Sequence, residues 1–414
     1  MGLYKKTDDE TRTPSGSRIS RRGFMGAVGA AAAGAVLSSC KKKSPSEPEA
    51  PVNPNTTGDV ALAKLNDYSY DTLKSKLETL FTQAGGLEDV ISSGDKVAIK
   101  INLTGGNSQA GTMQWRYGCS AEDSIWTHSA VMKAVCELII DAGAGELYIV
   151  EGQSQETFNN VNLGYRLATL GLSEVCKGYI NLNNAAPYSD YTTLPVNGGY
   201  NFEGFTVNPI LAEADVYVTI AKMKCHATAG ITLSMKNNVG MVPDTAYGTT
   251  GYRVHLHGTR GDLSEASWHL PRTIVDLNLA RPVDLAIIEG INTMDKGEGP
   301  WIDNVIAPVN AKALIVSKDA VKADAVGMQV MGFDPLTEHY ADPFVASENW
   351  LLKAQEKGLG DPDPANIIVA GNLPSDFSYQ FHPCEENAAA KIAAGIHPLA
   401  PYGGQKFLGQ PHPV

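Results

Sequence analysis

The chain of 414 residues carries 33 basic against 45 acidic side chains, a formal net charge of −12, and 43% of its residues are hydrophobic. A surface of that sign repels phosphate backbones and the sequence has no basic stripe interleaved with aromatics, which argues against nucleic acid as a partner. The length is enough for one large domain, or two intimately joined lobes, with a sizeable core.

The chain opens on a polar stretch and then Ser20-Arg21-Arg22-Gly23-Phe24-Met25, followed by residues 26–37, which carry no charge. This is a positively charged segment feeding a short Ala/Gly-rich apolar one, the layout of an export signal of the twin-arginine type. The apolar run is too short and weak to span a bilayer, which takes about 20 apolar residues. Leu37-Ser38-Ser39-Cys40 resembles the lipobox of bacterial lipoproteins, so residues 1–39 read as the signal peptide and Cys40 as the lipidated first residue. Acyl chains contribute about 0.8 kcal/mol per buried methylene, and several on one cysteine anchor stably. The expected partners at this end are the twin-arginine export machinery and, through the lipid anchor, a membrane facing the periplasm or cell exterior. Residues 40–58 are rich in Lys, Ser, Pro and Glu without apolar periodicity and read as a flexible tether. Cleavage would leave 27 basic against 42 acidic groups, a net of −15, on the domain and its tether.

Residues 59–414 form the domain. Residues 97–102 read as a strand, 129–142 as a helix with apolar positions at Val131, Met132, Val135, Leu138 and Ile139, and 147–150 as a second strand, a β–α–β unit. A stretch richer in Asn, Gly, Pro and Tyr, 179–205, looks irregular or antiparallel. Strand 216–220, helix 263–279, strands 285–288 and 313–316, and helix 320–331 follow. After Leu373 a Pro-, Gly- and His-rich tail is expected to wrap the surface. The alternation implies an α/β fold, a mostly parallel sheet flanked by helices on both faces with irregular insertions.

Besides Cys40 the cysteines are Cys119, Cys136, Cys176, Cys225 and Cys384, with no CxxC spacing. An iron–sulfur cluster module or structural zinc knuckle is therefore not expected. At least one of these five is left with a free thiol; Cys136 reads as core, and Cys225, beside His226, has the polar setting.

In an open α/β sheet, ligands collect beyond the carboxyl ends of the strands. Those ends carry Lys100 and Asn102 with the turn Gly105-Gly106, then Glu151-Gly152, Lys222-Met223-Lys224-Cys225-His226, and Glu289-Gly290. Lys222, Lys224, His226, Lys236 and Asn237 bracket the uncharged residues 227–235. A cluster of cations in an acidic protein points to an anion such as a carboxylate or phosphate. His128 falls at the start of helix 129–142, where backbone amides already favour an anion. His255 and His257 on an extended segment would project to one side and, with His226, His128 and carboxylates, supply a metal shell; two exposed loop histidines are the plainer alternative. Gly297-Glu298-Gly299-Pro300 reads as a hinge, a lid or a simple turn. Asp319 reads as a helix cap, Asp324 as an inward ligand or base.

These segments, Ile99-Lys100-Ile101-Asn102, Thr127-His128, the Lys222–His226 block with Ser234-Met235-Lys236-Asn237-Asn238-Val239-Gly240, Glu289-Gly290, Gly297-Glu298-Gly299-Pro300 and Asp319/Asp324, together resemble the bacterial and archaeal family called domain of unknown function 362, over about residues 95–332. Many members carry a ferredoxin-like cluster module, which suggests electron transfer for them; this chain lacks those cysteines. A more distant similarity, in fold and in Lys and His at strand ends, is to the lactate racemase family with its nickel cofactor.

The expectation is an exported enzyme acting on a small anionic, carboxylate-bearing molecule by proton or hydride transfer, with a metal ion or organic cofactor as an open possibility. Lys100, Asn102, Lys222, Lys224, Lys236 and Asn237 would bind the anion, and His226, His128, Glu289 and Asp324 would act as acids, bases or ligands. The alternatives are a non-catalytic lipoprotein that binds anionic solutes and a scaffold in a surface assembly.

Overall fold

The computed structural model describes residues 57–152, 171–172, 176–248, 253–258, 263–302 and 306–384. The signal peptide, Cys40 and nearly all of the tether, with the tail beyond Cys384, lie outside the described residues.

In chain order the strands are β1 (Val60–Lys64), β2 (Lys96–Lys100), β3 (Glu146–Glu151), β4 (Gly178–Asn181), β5 (Thr192–Pro195), β6 (Gly204–Val207), β7 (Val216–His226), β8 (Gly230–Thr232), β9 (Leu285–Asp295), β10 (Ala307–Val309), β11 (Ala313–Ser317) and β12 (Val369–Gly371). The helices are α1 (Tyr70–Gln83), α2 (Gly106–Tyr117), α3 (Ser129–Asp141), α4 (Ile210–Glu213), α5 (Ser234–Asn237), α6 (Leu263–Ala280), α7 (Ala320–Val330) and α8 (Trp350–Glu356).

The main sheet runs β12-β1-β11-β9-β7-β2-β3-β4. Its centre, from β9 through β7, β2 and β3 to β4, is parallel, whereas β11 joins β9 and β1 joins β11 antiparallel. The fold is thus a mixed, mostly parallel α/β sheet, as the alternation of elements implies. Strand β7 shows why both faces are covered. Tyr217, Ala221, Met223 and Cys225 enter a core with residues of α6, α7 and α8, while Val216, Val218 and Ile220 enter the opposite core with α1 and α3. The period of 2 sends successive side chains to opposite faces, and each fully buried Val, Leu or Ile contributes roughly 1.5–3 kcal/mol. Cys136 lies in the core, as expected, and Cys225 is buried with its Sγ donating to the His382 carbonyl 3.1 Å away.

Several elements depart from expectation. β1 and α1 precede the first strand read from sequence, and α2 occupies what reads as a Gly-rich turn. Strands β7 and β9 run on to His226 and Asp295, well past the apolar residues that mark their cores. The polar continuation stays in the sheet because β8 pairs with Lys224–His226 and β10 with Thr293–Asp295. The segment at 179–205 does contain an antiparallel strand, β5, paired with β6 in a separate two-stranded sheet.

Candidate active site

Beyond the carboxyl ends of β2, β3 and β7 the sheet opens into a cavity of about 700 Å³. Each strand delivers a polar group to it: Lys100 and Asn102 at the end of β2, Glu151 from β3, and Lys224 and His226 from β7. The hairpin β7–β8 turns the chain back, and the short helix α5 then brings Lys236 and Asn237 to the same wall. α5 is aimed by Asp324, fully buried, whose Oδ1 and Oδ2 accept from the amides of Ser234 (2.7 Å) and Met235 (2.9 Å). Burial pushes the Asp324 carboxyl well above its usual range. It does not reach the cavity, so the expectation of Asp324 as catalytic base is corrected: it is a cap on the turn that carries Lys236.

The cations of the cavity differ in what holds them. Lys100 donates to Glu151 Oε2 at 2.9 Å, and Glu151 is held in turn by the amides of Leu103 and Gly152. Gly240 packs against this pair so closely that a Cβ would lie 2.7 Å from Glu151 Oε1 and 2.8 Å from Lys100 Nζ. Lys224 has no carboxylate within ion-pair distance among the described residues. Its Nζ donates to the Ile125 carbonyl (2.7 Å) and to Asn102 Oδ1 (3.3 Å), both neutral. Burial, with the charge of Lys236 beside it, brings Lys224 down to about 7. Lys236, 9% exposed, has no hydrogen-bond or ion-pair partner for its Nζ among the described residues, and burial brings it to about 8. Arg253 also lines the cavity, and among the described residues its guanidinium donates to neutral oxygens, on Val242, Gly152 and Asn183.

His226 Nδ1 accepts from the amides of Thr228 and Ala229, each at 3.1 Å. That leaves the ring proton on Nε2, 3.9 Å from Glu298 Oε1. Burial and then Lys236 hold the imidazole well below its usual value, so it stays neutral and offers an N–H donor. Glu298, from the Gly-Glu-Gly-Pro loop, accepts from the Ala227 amide and the Trp301 indole, both at 2.9 Å. The loop read as a hinge, lid or turn therefore supplies a carboxylate and an aromatic wall to the cavity.

Besides Asp324, three expected site residues gather in a separate cluster. Lys222 is fully buried against Glu289, 2.6 Å away, and also donates to the carbonyls of Glu122 and Asn292. Glu289 accepts further from Tyr68 Oη (2.9 Å) and the His128 amide (2.9 Å). Burial raises Glu289 and lowers Lys222, each restrained by the other. His128 stacks on Tyr68 and caps α3, its Nδ1 accepting from the Ala130 amide at 3.1 Å. Burial, then Lys222, depress it to about 3. None of these three lines the cavity, so Lys222 as an anion ligand and His128 and Glu289 as catalytic groups are corrected to members of a closed polar cluster. The irregularity between β7 and β9 separates the two sites. Lys222 pairs with Glu289 and Lys224 with Met294, so the extra residues of β9 fold over Lys222 and leave Lys224 beyond them.

His255 and His257 sit on a 3-10 turn, Val254–His257, instead of an extended strand. His257 lines the cavity, where burial brings it to about 4, and His255 is exposed. The single-face metal arrangement is corrected accordingly; among the described residues no three His, Cys, Asp or Glu are gathered as a metal-holding group. Arg253 and Glu298 are two charged cavity residues to which the sequence assigns no binding role. The signal for Arg253 is an arginine two residues before the His255/His257 pair; for Glu298, it is a carboxylate inside the loop.

A family model described as Domain of unknown function (DUF362) matches residues 97–329. A thylakoid-associated protein of Synechocystis sp. is 25% identical over 293 residues, covering 67% of this chain and 76% of that protein. Among solved structures, a protein from Thermotoga maritima aligns with a TM-score of 0.34 at 12% identity, covering 59% of this chain and 55% of that one. The lactate racemase apoprotein from Thermoanaerobacterium thermosaccharolyticum aligns with a TM-score of 0.32 at 14% identity, covering 67% of this chain and 58% of its own. The chain thus spans less than two thirds of either solved structure. No helix among the described residues is long and apolar enough to cross a membrane.

Proposed function

We propose, from the premise that the chain belongs to the family called domain of unknown function 362, that it is an enzyme that binds a small carboxylate-bearing molecule in this cavity and moves a proton on it through Lys224. The observation that supports this reading is the environment of that amine. A neutral lysine has two N–H groups and one lone pair. Here Ile125 and Asn102 supply two acceptors, which leaves the lone pair for the cavity. A base tuned to about 7 is matched to its task at neutral pH. Lys236 and Arg253 hold the carboxylate. Lys224 takes the proton from the carbon beside it, and the charge left on the carboxylate oxygens is stabilised by those cations and the His226 Nε2–H donor. Return of the proton from Lys224 completes the cycle.

Incubation of the protein with a panel of 2-hydroxy and 2-oxo acids in deuterium oxide tests this. Deuterium should enter the carbon beside the carboxylate with wild type and not with Lys224→Met. Acids that bind without exchange would instead make the protein an anionic-solute-binding lipoprotein, and no binding at all would remove the site.

The twin-arginine segment and Cys40 support an exported, lipid-anchored location, and a thylakoid-associated relative is consistent with association with a membrane. Cys40→Ser should move the protein from the membrane fraction to the soluble one; continued sedimentation with membranes would exclude the lipid anchor.

A further inference from the structure

Two amines share the cavity. Lys224 Nζ is fixed by the Ile125 carbonyl at 2.7 Å and Asn102 Oδ1 at 3.3 Å, and Lys236, more than nine-tenths buried, lines the same space. Burial and the charge of Lys236 bring Lys224 from 10.5 to about 7. At pH 7 that leaves roughly a thousandfold more free amine than an ordinary lysine offers. A lysine freed of its proton by desolvation and a neighbouring cation is a nucleophile toward carbonyl carbon as well as a base.

Two further groups suit the oxygen of such a carbonyl. His226 carries its ring proton on Nε2, which at 3.9 Å from Glu298 Oε1 is beyond hydrogen-bond distance of it. Thr232 is paired directly with Lys224 across β7 and β8 and lines the cavity, and its buried hydroxyl has no hydrogen-bond partner among the described residues. Cross-strand partners stand on one face of a sheet, about 4.5–5.5 Å apart at Cβ, so this hydroxyl and the amine stem are neighbours. An unmade hydrogen bond on a buried hydroxyl is costly, and a substrate oxygen beside Lys224 would supply it.

We infer that Lys224 is also a covalent nucleophile, forming an imine with the ketone carbon of 2-oxo acids whose carboxylate is held by Lys236 and Arg253. This rests on the carboxylate reading above, which puts the carbon beside the carboxylate within reach of Nζ. When that carbon is a ketone, the same lone pair meets an electrophile. The pair forms the N–C bond while the C=O π pair moves to oxygen, where the His226 Nε2–H donates. The oxygen then takes the two amine hydrogens, with the Thr232 hydroxyl as relay, and leaves as water. One C=O bond is exchanged for one C=N bond, and no oxidant or reductant is needed.

Borohydride delivers hydride to the carbon of an imine and makes the link permanent, so the detergent-solubilised full chain is incubated with pyruvate and borohydride, digested and mapped by mass spectrometry. Wild type should carry the reduced adduct on Lys224, at least tenfold more than on any exposed lysine, and labelling should rise through about pH 7. Isothermal titration with propionate, which has the carboxylate and no ketone, reports the acid site by itself, and propionate should protect Lys224 from labelling. Lys224→Met should lose the adduct, and Lys236→Ala should lower it at least tenfold by releasing the carboxylate. Lys224 left unlabelled in wild type that binds propionate would overturn the imine and leave the carboxylate reading in place. Labelling of Lys236, or of exposed lysines as much as Lys224, would overturn it too. Failure of propionate to bind wild type, with no adduct formed, would remove both readings together.

Discussion

Lys222 and Lys224 stand two residues apart on the same strand and on the same face of it, both buried, and the molecule treats them in opposite ways. Around Lys222 every neighbour is fixed: Glu289 at 2.6 Å, two carbonyls, and Tyr68 closing the far side of the carboxylate. Among the described residues Lys224 Nζ donates to two neutral oxygens, with the charge of Lys236 nearby and the cavity beyond. Burial of a charge is costly unless it is paired. One lysine has met that cost with a carboxylate and become part of the framework; the other has not, and is left with a proton it can lose near neutral pH. Spacing in sequence does not separate these fates. The extra residues of β9 do.

The largest effect should come from breaking the closed cluster. Glu289→Gln leaves Lys222 buried without its carboxylate and should lower stability by about 3–5 kcal/mol in denaturant titrations. A Lys222→Met/Glu289→Gln double variant should recover much of that, since no charge is then stranded. If Glu289→Gln is tolerated without loss, the cluster is not a framework element.

Lys224→Met should do the reverse. It removes a lysine that has no ion pair among the described residues, so stability should stay within about 1 kcal/mol of wild type, the cost of two unsatisfied acceptors being offset by relief of a desolvated amine. Proton exchange on the bound acid should fall at least a hundredfold. The pH dependence sharpens the contrast. Lys224 is depressed from 10.5 to about 7 on folding, so between those values the unfolded chain binds the extra proton and stability rises with pH. The melting temperature of wild type should therefore gain on that of Lys224→Met from pH 7 to pH 10. Turnover at limiting substrate should rise through about pH 7, as Lys224 loses its proton, and fall through about pH 8, as Lys236 loses the charge that holds the carboxylate.

A smaller effect is expected at Asp324, which touches no cavity surface. Asp324→Ala strands the Ser234 and Met235 amides and should cost about 1–2 kcal/mol, the range for a lost helix cap. Acid affinity should weaken severalfold because the same turn carries Lys236, and Asp324→Asn, which keeps one acceptor, should restore part of it.

Much of the frame was legible because apolar periodicity records burial, and the central β–α–β unit is buried on both sides. Helix α3, with Val131, Val135, Leu138 and Ile139 on its inner face, was read almost to its ends. The polar extensions of β7 and β9 were not, since Lys222, Lys224 and Glu289 carry charges that periodicity treats as surface; they are interior here because each finds partners across the sheet. Lys100, Asn102, Lys224 and His226 line the cavity from the strand ends that the sequence marks, and Lys236 and Asn237 from the cation cluster beyond the uncharged residues 227–235. What sequence cannot carry is which charge faces which. Glu289 and Glu151 both follow apolar strands, yet one locks Lys222 away and the other sits in the cavity wall with Lys100. The same limit hid Arg253, whose place depends on the fold of a turn distant from β2 and β3.

The smallest effect should be at His255, and it tests how far the histidine pair is a pair at all. On an extended strand, residues two apart share a face, which is the basis for expecting His255 and His257 to act together. A 3-10 turn advances about 120° per residue, so two steps carry the second side chain well away from the first. His257 accordingly reaches the cavity, its Nδ1 proton given to the Arg253 carbonyl at 3.1 Å, which sets its tautomer, while His255 is exposed. His255→Ala should change stability by less than about 0.5 kcal/mol, the usual range for an exposed position, and leave acid affinity unaltered. His257→Ala should weaken the acid severalfold in the same titration. Equal losses from the two substitutions would mean that both rings face one ligand, and the turn would then have to open into the extended form when the ligand binds.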